Sequence, residues 1–280
     1  MDHIGFGLSD QASFEMVEMH HAKNLLQLVQ SLNLTRVTLA VHDWGGPIGL
    51  GAFIQEPWRV SNLVVMNSTV FPMPSDELTY QNYPLTWLPW CHTPKVVADS
   101  LWGGMAAYAV SHGAPQSAVK FLAGAVGSIF RHALKMIKVG TPEYVWSRSL
   151  SSKSNARSSK RMVRQTPVWG HGYSYKDKHH GLQDNHSFYE FMQNNILSSW
   201  GPSGSNIQAS GFFGRWDPCG KDSVITQWQT ALPNMKSNTH TFEDVGHFIE
   251  EYKGPEIAQA ILKMHKINEV TPVKHSVSAR

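Results

Sequence analysis

A parallel α/β layer interrupted by a long helical insertion is the fold class that these 280 residues predict. Three observations carry that expectation. Two short β-branched runs flank one helical stretch near the N-terminus, the same rhythm returns after residue 205, and the composition changes in between.

The first element is FEMVEMHHAKNLLQLVQSL (14–32), where Phe14, Val17, Leu25, Leu28, Val29 and Leu32 recur at helical spacing. RVTLAV (36–41) is short, β-branched and ended by a glycine-bearing turn, the pattern of a buried strand. GPIGLGAFIQ continues as a helix that stops near Pro57, and VSNLVVMN (60–67) reads as a second strand. Strand, helix, strand in this tempo implies a βαβ unit with parallel strands. FPMPSDELTYQNYPLTWLPWCHTP then brings prolines and aromatics, with helices expected over 95–111, 115–139 and 186–199. IQASGFFG (207–214) resumes the strands, followed by a helix over 222–231, a strand in NTHTFED (238–244) and a closing helix near 255–267. Residues 1–70 and 206–280 thus form one α/β core, into which 71–205 are inserted.

Hydrophobic residues at 41 % and charged residues at 16 % give a globular balance without a long disordered tract. A net charge of +3 does not mark a nucleic-acid binder. SRSLSSKSNARSSKRMVR (147–164) holds six Lys/Arg and no acid; it reads as a solvated loop, with an anionic-surface or lipid-binding patch as the alternative. Cys91 and Cys219 are too few for a disulfide framework and fit a reducing, cytoplasmic setting. SAVKFLAGAVGSIF (117–130) carries Lys120 and falls short of the roughly 18 to 20 apolar residues of a membrane span. The first residues lack the basic-then-apolar pattern of a signal peptide. The oligomeric state is left open.

The chemistry centres on TLAVHDWGGPIGLGAF (38–53), which sets a carboxylate, Asp43, at the end of a buried strand. An unpaired buried carboxylate is costly, so its place calls for a reason. A tight turn between a parallel strand and a helix aims one side chain into the crevice at the carboxyl ends of the strands, and Gly45 and Gly46 supply the small residues such a turn needs. A carboxylate there can attack an sp3 carbon and form an ester. The plain alternative is that Asp43 caps the next helix. GFFGRWDPCG places Asp217 after a second strand, and EDVGHFIEE places His247 after a third. Singly these read as an Asp-Pro turn and a surface histidine. Jointly, nucleophile, acid and histidine at three strand ends follow the chain order of a catalytic triad.

At these residues the sequence resembles the haloalkane dehalogenase and epoxide hydrolase branch of the α/β-hydrolase superfamily. The matching stretches are DHIGFGLSD, VHDWGGPIGL, PWRVSNLVVMNS, GRWDPCGKDSV and VGHFIEEYKGPEIAQAI, within 1–70 and 207–262. HDWGG with a downstream GHF-x-E-E is similar to haloalkane dehalogenase-like proteins above all. The resemblance implies an α/β-hydrolase fold with a helical cap at 71–205, a small hydrophobic substrate, and neither cofactor nor metal. It makes Asp43 the nucleophile, His247 the base that activates water, and Asp217 the acid orienting His247. The Trp44 backbone N–H becomes an oxyanion donor and its indole N–H a halide donor. Some dehalogenases draw the acid from the position of Asn67, an amide here, which favours Asp217. Trp102, in DSLWGGM, is a second halide donor from the cap or simply packs there. Ring-opening tyrosines for an epoxide are available in Tyr80, Tyr83, Tyr108 and Tyr144. Relatives of this type carry further strands and a His-Gly-x-Pro turn ahead of GFGLSD, so the resemblance also implies missing N-terminal strands and an exposed edge beside RVTLAV. Epoxide hydrolysis, β-lactone processing and a non-catalytic binding remnant stand as rival readings; a serine esterase is disfavoured by Asp at the elbow.

Overall fold

The computed structural model describes residues 2–14, 16–74, 96–111, 118–164, 169–172, 174–178 and 181–270. In chain order, α1 (Glu18–Ser31), β1 (Val37–His42), α2 (Gly45–Phe53) and β2 (Val60–Met66) build the first part. The insertion holds α3 (Trp102–Ser111), α4 (Ala118–Ala133), α5 (Pro142–Ser149), α6 (Lys153–Val163), β3 (Ser174–Asp177), β4 (Gly181–Asp184) and α7 (Asn185–Trp200). The chain closes with β5 (Gln208–Gly214), α8 (Asp222–Ala231), β6 (Thr239–Phe242) and α9 (Ile249–Val270).

β1, β2, β5 and β6 lie side by side in that order, all parallel, with Val41 opposite Val65, Val65 opposite Gly211 and Phe212 opposite His240. Period-two alternation sorts the central strand between two cores. Leu63 and Val65 join a cluster with Leu50, Met192, Ile196, Trp200 and Trp228, while Val64 and Met66 pack with Phe212, Ile249, Ile257 and Met264. Helices therefore cover both faces, as a parallel sheet requires. β1 is an edge strand among the described residues: Ala40 is exposed and Val37, Thr38 and Leu39 are half-buried.

The insertion has its own apolar cluster of Trp102, Met105, Ala106, Tyr108, Ala125, Leu150 and Ala156. α7 is different, since Tyr189, Met192, Ile196 and Trp200 enter the core around the sheet. Residues 147–164 are not a solvated loop. They comprise the end of α5 and all of α6, whose first turn is capped by Ser152 Oγ accepting from the Asn155 N–H at 3.1 Å. The buried side of α6 is filled by Asn155, Ala156, Ser158 and Met162, and Asn155 Nδ2 donates to the Gly7 and Ser149 carbonyls. β3 and β4 form a small antiparallel hairpin that the sequence reading did not contain. α9 begins six residues before the expected 255, with an irregular turn at Lys253 ahead of Pro255. Tyr80, Tyr83 and Cys91 lie outside the described residues. Among those described, no helix is long and apolar enough to cross a membrane.

Candidate active site

Because the four strands are parallel, their carboxyl ends gather at one edge of the sheet, and the loops that leave them form one crevice. Asp43 follows β1 with φ +49°, in the left-handed region that non-glycine residues rarely occupy. That conformation turns the chain directly into α2. Two contacts hold the turn: the Asp43 carbonyl accepts from Ser68 Oγ at 2.6 Å and from the Gly46 N–H at 3.0 Å. Gly46 has to be glycine, since a Cβ there would stand 1.9 Å from Ser68 Oγ. Gly45 faces open space.

Asp217 lies in the turn after β5. Its Oδ1 accepts from the Cys219 N–H at 2.8 Å and its Oδ2 from His247 Nδ1 at 2.6 Å, so both oxygens of this buried carboxylate are engaged. The turn is braced by Arg215, whose Nη1 donates to the Gly220 carbonyl and to Asp222, both at 2.8 Å. His247 presents Nε2 to Asp43 Oδ1 at 3.5 Å. Burial pushes the His247 imidazole down, but the Asp217 and Asp43 carboxylates and the hydrogen bond it donates to Asp217 outweigh it and raise its pKa to about 9. In the resting site the imidazole is therefore charged at neutral pH, lying between two carboxylates.

Two residues to which the sequence reading assigned no role fix this arrangement. Asn67 ends β2 with φ +37° and is fully buried. Its Nδ2 donates to the carbonyls of Gly246 and His247 at 2.8 and 2.7 Å, and its Oδ1 accepts from the Gly214 N–H at 2.8 Å. One amide thus ties β2, β5 and the histidine loop together. Those loops approach closely because Gly214 lacks a side chain; a Cβ would meet the Gly246 carbonyl at 2.5 Å. His42, the last residue of β1, bonds the His247 carbonyl through Nε2 at 2.9 Å, its ring centroid 4.7 Å from that of His247. Burial, then the charge on His247, lowers the His42 pKa, so His42 holds the loop as a neutral ring. His42 stands inside HDWGG and Asn67 just past a strand end, but nothing in either stretch pointed to the backbone groups they bind.

These groups open into a cavity of about 400 Å³, which Asp43, Trp44, Trp102, Asp217 and His247 all line. The five residues expected at the site are thus brought together. Its walls are otherwise mostly apolar, with Ile48, Met162, Trp146 and Trp169. The Trp44 indole stacks on Trp169 with centroids 4.0 Å apart. At the first turn of α2, N–H groups have no acceptor within the helix. The Trp102 indole N–H donates to Ser159 Oγ at 2.9 Å. Tyr108 packs in the insertion's own core, and among the described residues no tyrosine lines the cavity. His3 and His21 stand on a further wall, T-shaped to each other at 5.2 Å. Burial lowers both pKa values, that of His21 to about 3, so both rings are neutral.

Comparison with known proteins agrees with this geometry. A family model described as alpha/beta hydrolase fold matches residues 1–253. A cis-3-alkyl-4-alkyloxetan-2-one decarboxylase of Shewanella oneidensis is 25 % identical over 91 % of this chain and 69 % of its own length. A haloalkane dehalogenase of Mycolicibacterium paratuberculosis is 25 % identical over 93 % of this chain and 71 % of its own. Among solved structures, a tetrameric haloalkane dehalogenase from Paraglaciecola agarilytica superposes with a TM-score of 0.57 at 20 % identity, covering 94 % of this chain and 72 % of that one. The chain belongs to the α/β-hydrolase fold family.

Proposed function

We propose that this chain is a hydrolase that works through a covalent ester on Asp43, on a small hydrophobic substrate bound beneath the insertion acting as its cap. The observation that carries the reading is the asymmetry around His247. Its Nδ1 is bonded to a fully engaged Asp217, and its Nε2 faces Asp43, whose carboxylate makes no other hydrogen bond or ion pair among the described residues.

In this reading Asp43 Oδ attacks a saturated carbon, and the leaving group departs with the bonding electrons toward the Trp44 indole N–H. Alkylation removes the charge on Asp43, one of the contributions that raise the His247 pKa, so the imidazolium releases its proton to solvent and stands over the ester as a neutral base. His247 then takes a proton from water, and the hydroxide adds to the ester carbon of Asp43. The developing oxyanion faces the N–H groups of Trp44 and Gly45 at the start of α2, donors of the kind that contribute about 3 to 4 kcal/mol each. The ester C–O bond breaks and the alcohol leaves, so an alkyl halide and water yield an alcohol, a halide ion and a proton. Asp217 orients His247 and stabilises the imidazolium, as the acid does in serine triads.

A second reading is favoured by the relative from Shewanella oneidensis, whose name assigns it the decarboxylation of a cis-dialkyl β-lactone. Attack by Asp43 on the oxygen-bearing ring carbon breaks the ring C–O bond and frees a carboxylate; loss of that carboxylate as carbon dioxide then expels Asp43 and leaves an alkene, with no water consumed. A mostly apolar cavity suits two alkyl arms as well as a haloalkane. Incubating His247→Gln separately with a 1-haloalkane, an epoxide and a cis-3,4-dialkyl β-lactone tests both readings. A haloalkane adduct confined to the Asp43 peptide, with halide released by the wild type, supports the first; alkene and carbon dioxide from the lactone support the second. A folded protein giving no adduct and no product with any of them refutes a nucleophilic role for Asp43.

A further inference from the structure

The exposed side of the insertion carries an unusual combination of charge and apolar surface. Residues 118–164 contain ten of the chain's 24 Lys/Arg and one of its 21 Asp/Glu, Glu143, so the rest of the chain is net acidic. α4 is apolar on two faces. One packs against α3, where Gly124 meets Tyr108 and Gly104 lies under Ile129. The other exposes Val119, Val126 and Phe130 along one stripe, with Phe130 61 % accessible. The stripe continues into the next loop, where Leu134, Met136 and Val139 are 65, 66 and 73 % accessible and alternate with exposed Lys135 and Lys138. Exposed apolar clusters rimmed by charge mark interaction sites.

We propose that this surface docks the protein on an anionic phospholipid bilayer, with the Phe130–Val139 region inserted at the headgroup level. Charge complementarity selects this occupant. Lys135 and Lys138, interleaved with the apolar anchors, are exposed and have no acidic partner among the described residues, while Arg157 and Lys160 are engaged by Asp99 and Arg131 by Glu143. Apolar anchors interleaved with lysines, whose stems can lie along the acyl boundary while their heads stay in water, are the pattern of interfacial binding. Such a surface binds through burial and through attraction to anionic lipid together, and neither component suffices at physiological salt. Docking there would set the insertion on a membrane in which hydrophobic substrates concentrate, and the inference stands independently of the chemistry at Asp43.

Co-sedimentation of the full chain with phosphatidylcholine vesicles, with and without about one third phosphatidylglycerol, tests it. Binding is expected only to the anionic vesicles, weakening as salt rises. Phe130→Glu with Leu134→Glu, and separately Lys135→Glu with Lys138→Glu, should each lower partitioning by roughly tenfold or more, with the circular dichroism and melting temperature of the wild type because all four positions are exposed. A folded wild type that stays in the supernatant overturns the proposal, as do variants that bind equally well. Sedimentation equilibrium covers the remaining occupant: a dimer broken by Phe130→Glu/Leu134→Glu, without vesicle binding, would assign the surface to a second copy instead.

Discussion

Replacing Asn67 by alanine separates a residue that holds the site from residues that react in it. The Asn67 amide serves three backbone groups, the Gly214 N–H and the carbonyls of Gly246 and His247, and is completely buried. After truncation the His247 carbonyl keeps its bond from His42, so two groups are left without partners. At about 1 to 3 kcal/mol for each orphaned buried group, the loss of stability comes to about 4 kcal/mol. The histidine loop loses its tie to β2 at the same time, so the Asn67→Ala protein should hydrolyse the Asp43 ester more slowly even where it is folded. Urea denaturation reads the first effect and single-turnover decay of the adduct the second. Asn67→Asp sharpens the test. A carboxylate can still accept from Gly214 but turns its charge on two carbonyls, so its folded-state pKa must rise above the unfolded one. Its stability is then present at low pH, where a protonated oxygen can donate, and lost as pH increases. An Asn67→Ala protein within about 1 kcal/mol of wild type, with unchanged ester decay, would refute the reasoning.

Other consequences follow from individual groups. His247→Gln should accumulate an ester on Asp43, seen as a mass increment equal to the alkyl group. Asp217→Asn removes the main opposing charge, so the His247 titration followed by NMR should fall from about 9, and turnover should drop by a factor on the order of 10⁴, as in serine triads lacking their acid. Gly46→Ala should destabilise by roughly 1 to 3 kcal/mol through its clash with Ser68 Oγ, whereas Gly45→Ala, facing open space, should be neutral or slightly stabilising; equal melting temperatures for the two would contradict the geometry. Glu18 is buried beneath Asn185, and burial, opposed by its hydrogen bonds, raises its pKa to about 7 from 4.5. A carboxyl raised in the folded state destabilises as pH climbs through that window, so Glu18→Gln should match wild type at pH 4 and be more stable by about 3 kcal/mol at pH 8, measured by denaturant midpoint.

How far these features could be read beforehand depended on how the information is written in the chain. Strands β1, β2 and β5 were legible because burial on both faces of a parallel sheet demands β-branched, apolar runs, and Leu63, Val64 and Val65 are fully buried. Asp43, Asp217 and His247 were legible because reactive residue types stood at strand ends in triad order. α6 was not, since the side it buries is filled by Asn155 and Ser158 beside Ala156 and Met162, and a run dominated by Ser, Lys and Arg with so few apolar residues reads as a solvated segment. The roles of Asn67 and His42 were hidden for another reason. Both act through backbone carbonyls about 180 and 205 residues away, and nothing local in a sequence encodes such a partner.

Asp43 and Asp217 flank the same imidazole and are the same residue type, so any difference in role has to come from their surroundings. Asp217 has both oxygens bonded, one to a backbone N–H and one to His247, and lies almost wholly buried. Its lone pairs are committed, and attack on carbon would require breaking two charge-assisted bonds in a site closed to water. Asp43 is held through its backbone instead: the left-handed turn, the Ser68 hydroxyl and the Gly46 N–H all act on the main chain and leave the carboxylate one distant neighbour, His247 at 3.5 Å. A residue kept in an unfavourable conformation with its side chain unbonded is a place where folding energy has been given up to keep a group available. In the reading proposed above, the order of the loops makes that carboxylate Asp43. The turn after β1 feeds directly into α2, so its side chain meets the first-turn N–H groups and the cavity. The turn after β5 is first tied by Arg215 to Gly220 and Asp222, and its side chain is spent on the turn itself and on His247.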